Sequence, residues 1–380
     1  MATLTFLGAT GTVTGSKYHF QSNGASVMVD CGLFQGLKEL RLRNWMPLDV
    51  DLQKLDAVIL THAHIDHTGF LPRLVKQGFS KPVYCTEPTR DLLEIMLLDS
   101  AHLQEEDAKF ANKKGISKHS PALPLYTQED AKTAIALLKA VPYGAPFSPA
   151  SGLRAEFHDA GHIIGSAFVS IRWNESGGER KIVFSGDLGR YDRPILKNPS
   201  LMRDADYLLV ESTYGDRLHE QGDPKSEIKR IINETVRRRG VVLIPAFAVG
   251  RTQELLYTLR ELESEGAIPV LPIYVDSPMA IKATRVYEKF TGVYDREASA
   301  LKGEGVDILQ TDRTIFTESV EESKRVNALN DPCIIISASG MMTGGRILHH
   351  LKQRLPHEKN AIVFVGYQAE GTRGRALQSG

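Results

Sequence analysis

At 380 residues with 42% hydrophobic side chains, the chain can bury substantial cores and favours two domains over one. Its 46 basic and 46 acidic residues cancel, which excludes a global positive field for gathering a polyanion, so any nucleic-acid affinity has to be local. Three widely spaced cysteines, Cys31, Cys85 and Cys333, exclude a disulfide framework and a thiolate zinc site, and no segment approaches the ~20 apolar residues of a membrane span; a cytoplasmic protein without membrane association is expected.

In chain order, TLTFLG, SKYHFQ and SVMVDCG read as short strands separated by Gly and Asn turns. The apolar run LDAVIL (55–60) leads into THAHIDH. From about Thr89 to Tyr143 the pattern turns helical, as in DLLEIMLLDSAHLQEEDAKFANKK and QEDAKTAIALLKAV. Strand character returns in LRAEFHDAGH, SAFVSIRW and RKIVFSGDLG, so the first half is expected to pack helices outside paired sheets. After YLLVESTYG the rhythm becomes regular helix and strand alternation with unalternating apolar runs such as VVLIPAF and PCIIISASG. Such runs suit a parallel sheet covered on both faces. The expected partition is 1–207 and 208–380, with the end of the second span a candidate for return to the first domain.

His62, His64, Asp66 and His67 form HxHxDH directly after a buried strand. Residues two apart in extended backbone point the same way, so His62 and His64 can reach one ion, while Asp66 and His67, past the turn, can reach a second. Imidazole and carboxylate ligands at this spacing suit a dinuclear zinc site. A solvated loop is the plain alternative, but four ligand-type residues in six positions after an apolar strand rarely arise for packing. His162, in AGHIIGS, and Asp187, in KIVFSGDLG, each have an ordinary turn explanation when taken alone. Beside HxHxDH they become candidates to complete the first shell and to bridge both ions. For Asp30, closing VMVD, orientation of a ligand histidine and a structural turn stand equal.

In order, this set resembles the metallo-β-lactamase superfamily. VESTYG with Glu211, PAFAVGRTQELL, VDSPMA, SASGMMTGGRILHHL and VGYQAEGTRGRAL look like its β-CASP nuclease branch, which includes RNase J and the nuclease subunit of the pre-mRNA 3′-end cleavage complex. The resemblance implies an α/β protein: a metallo-β-lactamase αββα sandwich with an inserted β-CASP domain built on a Rossmann-like parallel sheet. It implies a ribonuclease, endonucleolytic, exonucleolytic or both, with two zinc ions activating water and single-stranded RNA in the interdomain cleft; a homodimer is compatible with it. Asp66 would hold a metal and orient the nucleophile, and Glu211 would position a later histidine that protonates the leaving group.

Ser- and Gly-rich loops before helices make Arg251, Ser337, Ser339, Gly340 and Arg373 candidate phosphate contacts, although such loops are more often plain turns. His349 and His350 lack ligand spacing and read as second-domain structure. The family's segments resembling SAHAD and HGE, which carry the protonating histidine and a last metal ligand, do not occur in the 380 residues, so a truncated chain is expected. Two alternatives stay open: a small-molecule hydrolase of thioesterase or lactamase type, and a non-catalytic RNA-processing subunit.

Overall fold

The structure, a computed structural model, describes residues 1–216, 218 and 222–380. Two compact units emerge, Met1–Asp192 with Asn198–Asp216, and Arg193–Lys197 with Arg217–Gly380.

The first unit opens with β1 (Thr3–Phe6), β2 (Tyr18–Ser22) and β3 (Ala25–Val29), which pair antiparallel. Asn23 and Gly24 join β2 to β3, both at positive φ (51° and 84°), the two-residue turn whose twist matches the flanking strands. There follow α1 (Lys38–Arg43), β4 (Ala57–Ile59), α2 (Ile65–Thr68), α3 (Leu71–Lys76), β5 (Val83–Cys85), α4 (Glu87–Lys114), α5 (Gln128–Ala136) and β6 (Leu138–Ala140). Strands β4, β5 and β6 extend the sheet in parallel from β3. The long helix α4 is fixed at its start by the Thr86 side chain, which accepts from the Thr89 N–H, and at its end by Gly115 in the left-handed region. The helical pattern over QEDAKTAIALLKAV stops at Ala136. Leu138–Ala140 pairs with β5 instead, so sheet hydrogen bonding overrides the local helix preference.

A second sheet carries β7 (Leu153–Asp159), β8 (Ala167–Glu175) and β9 (Gly178–Phe184) as antiparallel neighbours, with β10 (Tyr207–Leu209) parallel to β9. The inner faces meet in one core, where Val27, Val29 and Ile59 pack with Phe157, Val169, Ile171 and Phe184. This is a sheet-on-sheet sandwich. Because β10 belongs to it, the first unit runs past the expected 207/208 boundary to Asp216. Arg193–Lys197 joins the second unit through the Asp295 N–H donating to the Ile195 carbonyl at 2.8 Å.

The second unit alternates α6 (Pro224–Arg237), β11 (Val242–Pro245), α7 (Arg251–Ser264), β12 (Ile273–Val275), α8 (Pro278–Lys289), α9 (Arg296–Gly303), β13 (Thr314–Phe316), α10 (Val320–Ala328), β14 (Ile334–Ser337), α11 (Ile347–Arg354), β15 (Ala361–Ile362) and α12 (Arg373–Ser379). Its five strands are all parallel, in the order β13-β12-β14-β11-β15. Alternate residues enter two separate cores: Val242, Ile244, Ile334 and Ile336 face one, Val241, Leu243, Cys333 and Ile335 the other. Two covered faces are the physical reason these strands read as unbroken apolar runs. The chain's last helix, α12, lies in this second unit rather than returning to the first.

Candidate metal centre

Parallel pairing sets the centre. The register Val29↔Ile59 brings the end of β3 beside the end of β4, so Asp30 lies next to Thr61, and the HxHxDH segment leaves the sheet immediately afterwards. Asp30 is fully buried, with φ at 60°, a left-handed conformation that aspartate tolerates better than most residues. One carboxylate oxygen accepts from the Thr61 N–H at 2.8 Å; the other accepts from the Thr61 hydroxyl at 2.9 Å and from His67 Nδ1 at 2.7 Å.

These contacts assign two tautomers. Thr61 has one hydroxyl proton and gives it to Asp30, so at 3.0 Å its oxygen accepts from His62 Nδ1–H, leaving the His62 lone pair on Nε2. His67 likewise spends Nδ1–H on Asp30 and turns Nε2 the other way. His62 Nε2 lies 3.1 Å from His64 Nδ1 and 3.6 Å from Asp187 Oδ2; His162 Nε2 lies 3.3 Å from His64 Nδ1 and 3.4 Å from the same Asp187 oxygen. Ligand atoms of His62, His64, His162 and Asp187 all fall within 4.8 Å of one another. The second oxygen of Asp187 lies 3.1 Å from His67 Nε2, which is 3.9 Å from the Asp66 carboxylate. Three strand ends and a helix start thus converge on one spot.

This donor set fits a divalent cation. Nitrogen lone pairs turned toward each other at such distances repel unless a proton or a cation lies between them, and outer hydrogen bonds that fix the ligand rings are characteristic of metal-binding histidines. The charge on His62 agrees, whereas a cation on His67 Nε2 would have to displace a proton. Burial above all, then His67, pushes the His62 pKa well below its ordinary value, so this ring is neutral and available as a ligand. Burial also opposes charge on His67, but the carboxylates of Asp187 and Asp30 outweigh it and hold this imidazole well above its usual range. Asp187 is held well below the carboxylate range: burial works against its charge, and His67 and His62 outweigh it.

The backbone near Asp66 is tightly specified. Ser16 N–H donates to the Asp66 carbonyl at 2.9 Å, and a Cβ on Gly32 would lie 1.6 Å from that same oxygen, so only glycine fits there. Glu211 is not among the convergent atoms. Its carboxylate accepts from the Leu188 N–H at 3.0 Å and the Thr213 N–H at 3.3 Å, which ties down the residue after Asp187. Thr61 and Ser16 were not identified from the sequence; the one signal for Thr61 was its place before the motif.

The second unit divides the candidate phosphate contacts. Ser337 is buried and gives its hydroxyl to the Asp276 carbonyl at 2.9 Å, and Gly340 is buried where a Cβ would lie 2.9 Å from the Phe247 nitrogen; neither faces outward. Arg251 pairs with Glu254 at 2.7 Å. Ser339 bonds the Thr343 N–H at 2.9 Å, and the exposed Arg373 donates to the Thr343 carbonyl at 3.2 Å, which brings these two to one loop. Beneath lies a network the sequence did not disclose. Buried Asp276 accepts from Ser323 Oγ at 2.6 Å, Arg346 Nη1 at 2.7 Å and His350 Nε2 at 2.7 Å. Its signal, in hindsight, is a carboxylate at a strand end, as at Asp30 and Asp187.

Comparison with known proteins agrees with this geometry. The metallo-beta-lactamase superfamily matches residues 13–224 and the Beta-Casp domain matches residues 252–377. The chain is 39% identical over 371 residues to a protein named ribonuclease TTHA0252 from Thermus thermophilus, covering 97% of this chain and 80% of that one. It is 35% identical over 383 residues to a protein named transcription termination factor FttA from Methanocaldococcus jannaschii, covering 99% of this chain and 58% of the archaeal protein. The chain belongs to the metallo-beta-lactamase superfamily, in the branch that carries a Beta-Casp domain.

Proposed function

We propose that the chain is a metal-dependent ribonuclease that hydrolyses phosphodiester bonds in single-stranded RNA, using two zinc ions held by the first unit. The observation that carries this reading is the convergence of three imidazoles and Asp187 within 4.8 Å, with the His62 tautomer fixed by Thr61 and Asp30. The relative named a ribonuclease supplies the substrate class. The archaeal relatives' name is compatible with the same cut made on a nascent transcript.

Imidazole and carboxylate donors suit zinc. His62, His64, His162 and one Asp187 oxygen would hold the first ion; Asp66, His67 and the other Asp187 oxygen would hold the second. When bound, such ions supply Lewis acidity that brings a water's pKa to about 7 and neutralises charge on the phosphate. The side chains do the rest. Asp66 accepts a hydrogen bond from the attacking water and orients it in line with the scissile bond. Asp30 and Thr61 keep the His67 and His62 lone pairs aimed inward, and Glu211 holds the Asp187 turn. Ser339 and Arg373 are proposed to contact RNA phosphates from the second unit. The three cysteines are free and buried, in keeping with a cytoplasmic setting.

The test is incubation of the protein with end-labelled single-stranded RNA, with and without chelator, beside a His64→Ala variant and metal analysis. Cleavage that stops with chelator and in the variant, with near-stoichiometric zinc, is expected. Cleavage that continues unchanged in either arm overturns the reading, and product lengths separate internal cutting from trimming.

A further inference from the structure

Helix α1 (Lys38–Arg43) buries none of its six residues. A helix normally stays folded by packing an apolar stripe against a core, and this one has no such stripe. Instead it is held by its exit: Asn44, buried, accepts from the Phe34 N–H at 2.9 Å and donates to the Phe34 carbonyl at 2.8 Å. Leu33, one residue earlier, donates to the Ile65 carbonyl at 3.0 Å. The helix is therefore moored by a short run of hydrogen bonds to α2, the short helix that carries Asp66 and His67.

What this moored segment displays is unusual for a chain whose charges cancel. Between positions 36 and 46, Lys38, Arg41 and Arg43 face a single acid, Glu39. Beside them, Trp45 is 48% exposed and Met46 61% exposed. The Arg43 guanidinium lies 4.1 Å over the Phe34 ring, and Arg73, from α3, lies 5.9 Å from the Trp45 ring centroid. Cations interleaved with a half-exposed aromatic face are the composition of a single-strand binding platform: the ring stacks a base and the cations take phosphates.

We propose that α1 and Trp45 form a ledge for single-stranded RNA, with one base stacked on Trp45 and flanking phosphates on Lys38 and Arg41, leading the strand along the first unit to the metal centre. This inference rests on the ribonuclease reading and adds a track to it. Four apolar residues are exposed in this segment, Leu37, Leu42, Trp45 and Met46, but its three cations against one acid favour a polyanion such as RNA over a second copy of the chain.

The test uses the His64→Ala protein, which is expected to bind RNA without cutting it, and a short labelled single-stranded RNA followed by fluorescence anisotropy across a salt series. Trp45→Ala is expected to weaken binding about tenfold. Lys38→Ala with Arg41→Ala is expected to flatten the log–log salt slope by about 1.4, since each phosphate contact on a single strand contributes about 0.7. Of the two tryptophans, only Trp45 is exposed, Trp173 being 3% accessible, so RNA should quench tryptophan emission and Trp45→Phe should abolish the quench. Because α1 buries no residue and Trp45 is about half exposed, these substitutions leave the core intact, and unchanged thermal unfolding verifies that. Unchanged affinity, slope and emission in a protein whose parent cuts RNA overturn the ledge alone. A parent that neither cuts nor binds RNA overturns the ribonuclease reading itself. If RNA binding is unchanged and Leu42→Asp instead abolishes a dimer seen by sedimentation, the face belongs to a second copy and the ledge is likewise overturned.

Discussion

Asp30 spends both carboxylate oxygens inside the protein, on the backbone and hydroxyl of Thr61 and on His67 Nδ1. Replacing it with asparagine keeps the shape but makes one of those acceptors an amide donor, which faces either the His67 N–H or the Thr61 donors. The His67 ring then loses its anchor, and Thr61 no longer fixes the His62 tautomer. Removing such an outer partner typically weakens metal binding ~10- to 100-fold. Asp30→Asn is expected to lose zinc affinity on that scale in competition with a chromogenic chelator, while far-ultraviolet circular dichroism stays that of the parent. Equal affinity in the two proteins rules out the anchoring role. The candidate ligands were legible in the sequence, because HxHxDH after an apolar strand has few packing explanations. Asp30 was legible as a candidate orienter of a ligand histidine, but which histidine it holds was not, since that depends on the Val29↔Ile59 register of two strands that are 30 residues apart in sequence. No spacing rule gives that register.

At the scale of elements, the second unit turns on the end of β12. Asp276 there accepts from Ser323, at α10, and from Arg346 and His350, at and within α11, so one carboxylate ties a strand to two helices. Burial alone would raise its pKa; the donors from His350, Ser323 and Arg346 outweigh burial and hold it below the ordinary carboxylate value of 3.8. A group whose folded pKa is depressed stabilises the fold above its unfolded pKa and loses that contribution as pH falls through the folded one. Asp276→Asn is therefore expected to cost about 3 kcal/mol near neutral pH, in denaturant melts, and the gap to the parent should narrow below pH 3.8. A gap that is constant with pH shows that the ionised carboxylate is not what holds the junction. Element types in this unit followed from the sequence because each apolar run was followed by a helical period, as in VVLIPAF before α7. Thr314–Phe316 was missed, being an edge strand with one side unpaired whose three residues are too few to show a pattern. The same limit hid α1, whose six residues bury nothing and so leave no periodic trace.

For the molecule as a whole, 46 acids against 46 bases mean that neither folding nor binding draws on a net field, so stability and affinity come from particular sites. The most concentrated of these is the metal centre, where four histidines and two aspartates from distant parts of the first unit share one small volume. In the unfolded chain His62, His64, Asp66 and His67 stay neighbours while His162 and Asp187 lie far along the sequence, so a cation binds the folded form more tightly and the difference adds to folding. At a free concentration 100 times the dissociation constant this linkage is worth up to about 2.7 kcal/mol. For a unit of about 200 residues, Met1–Asp192 with Asn198–Asp216, each kcal/mol moves Tm by about 2–4 °C. Excess zinc should therefore raise the transition of this unit, by up to about 10 °C over chelated protein, in scanning calorimetry. The direction of the His64→Ala effect is also determined: removing one imidazole relieves crowding in the metal-free centre yet weakens the cation's hold, so the chelated variant should unfold no earlier than the chelated parent while the zinc-dependent rise shrinks. A rise of the same size in both proteins would mean that zinc stabilises the chain from somewhere other than this cluster.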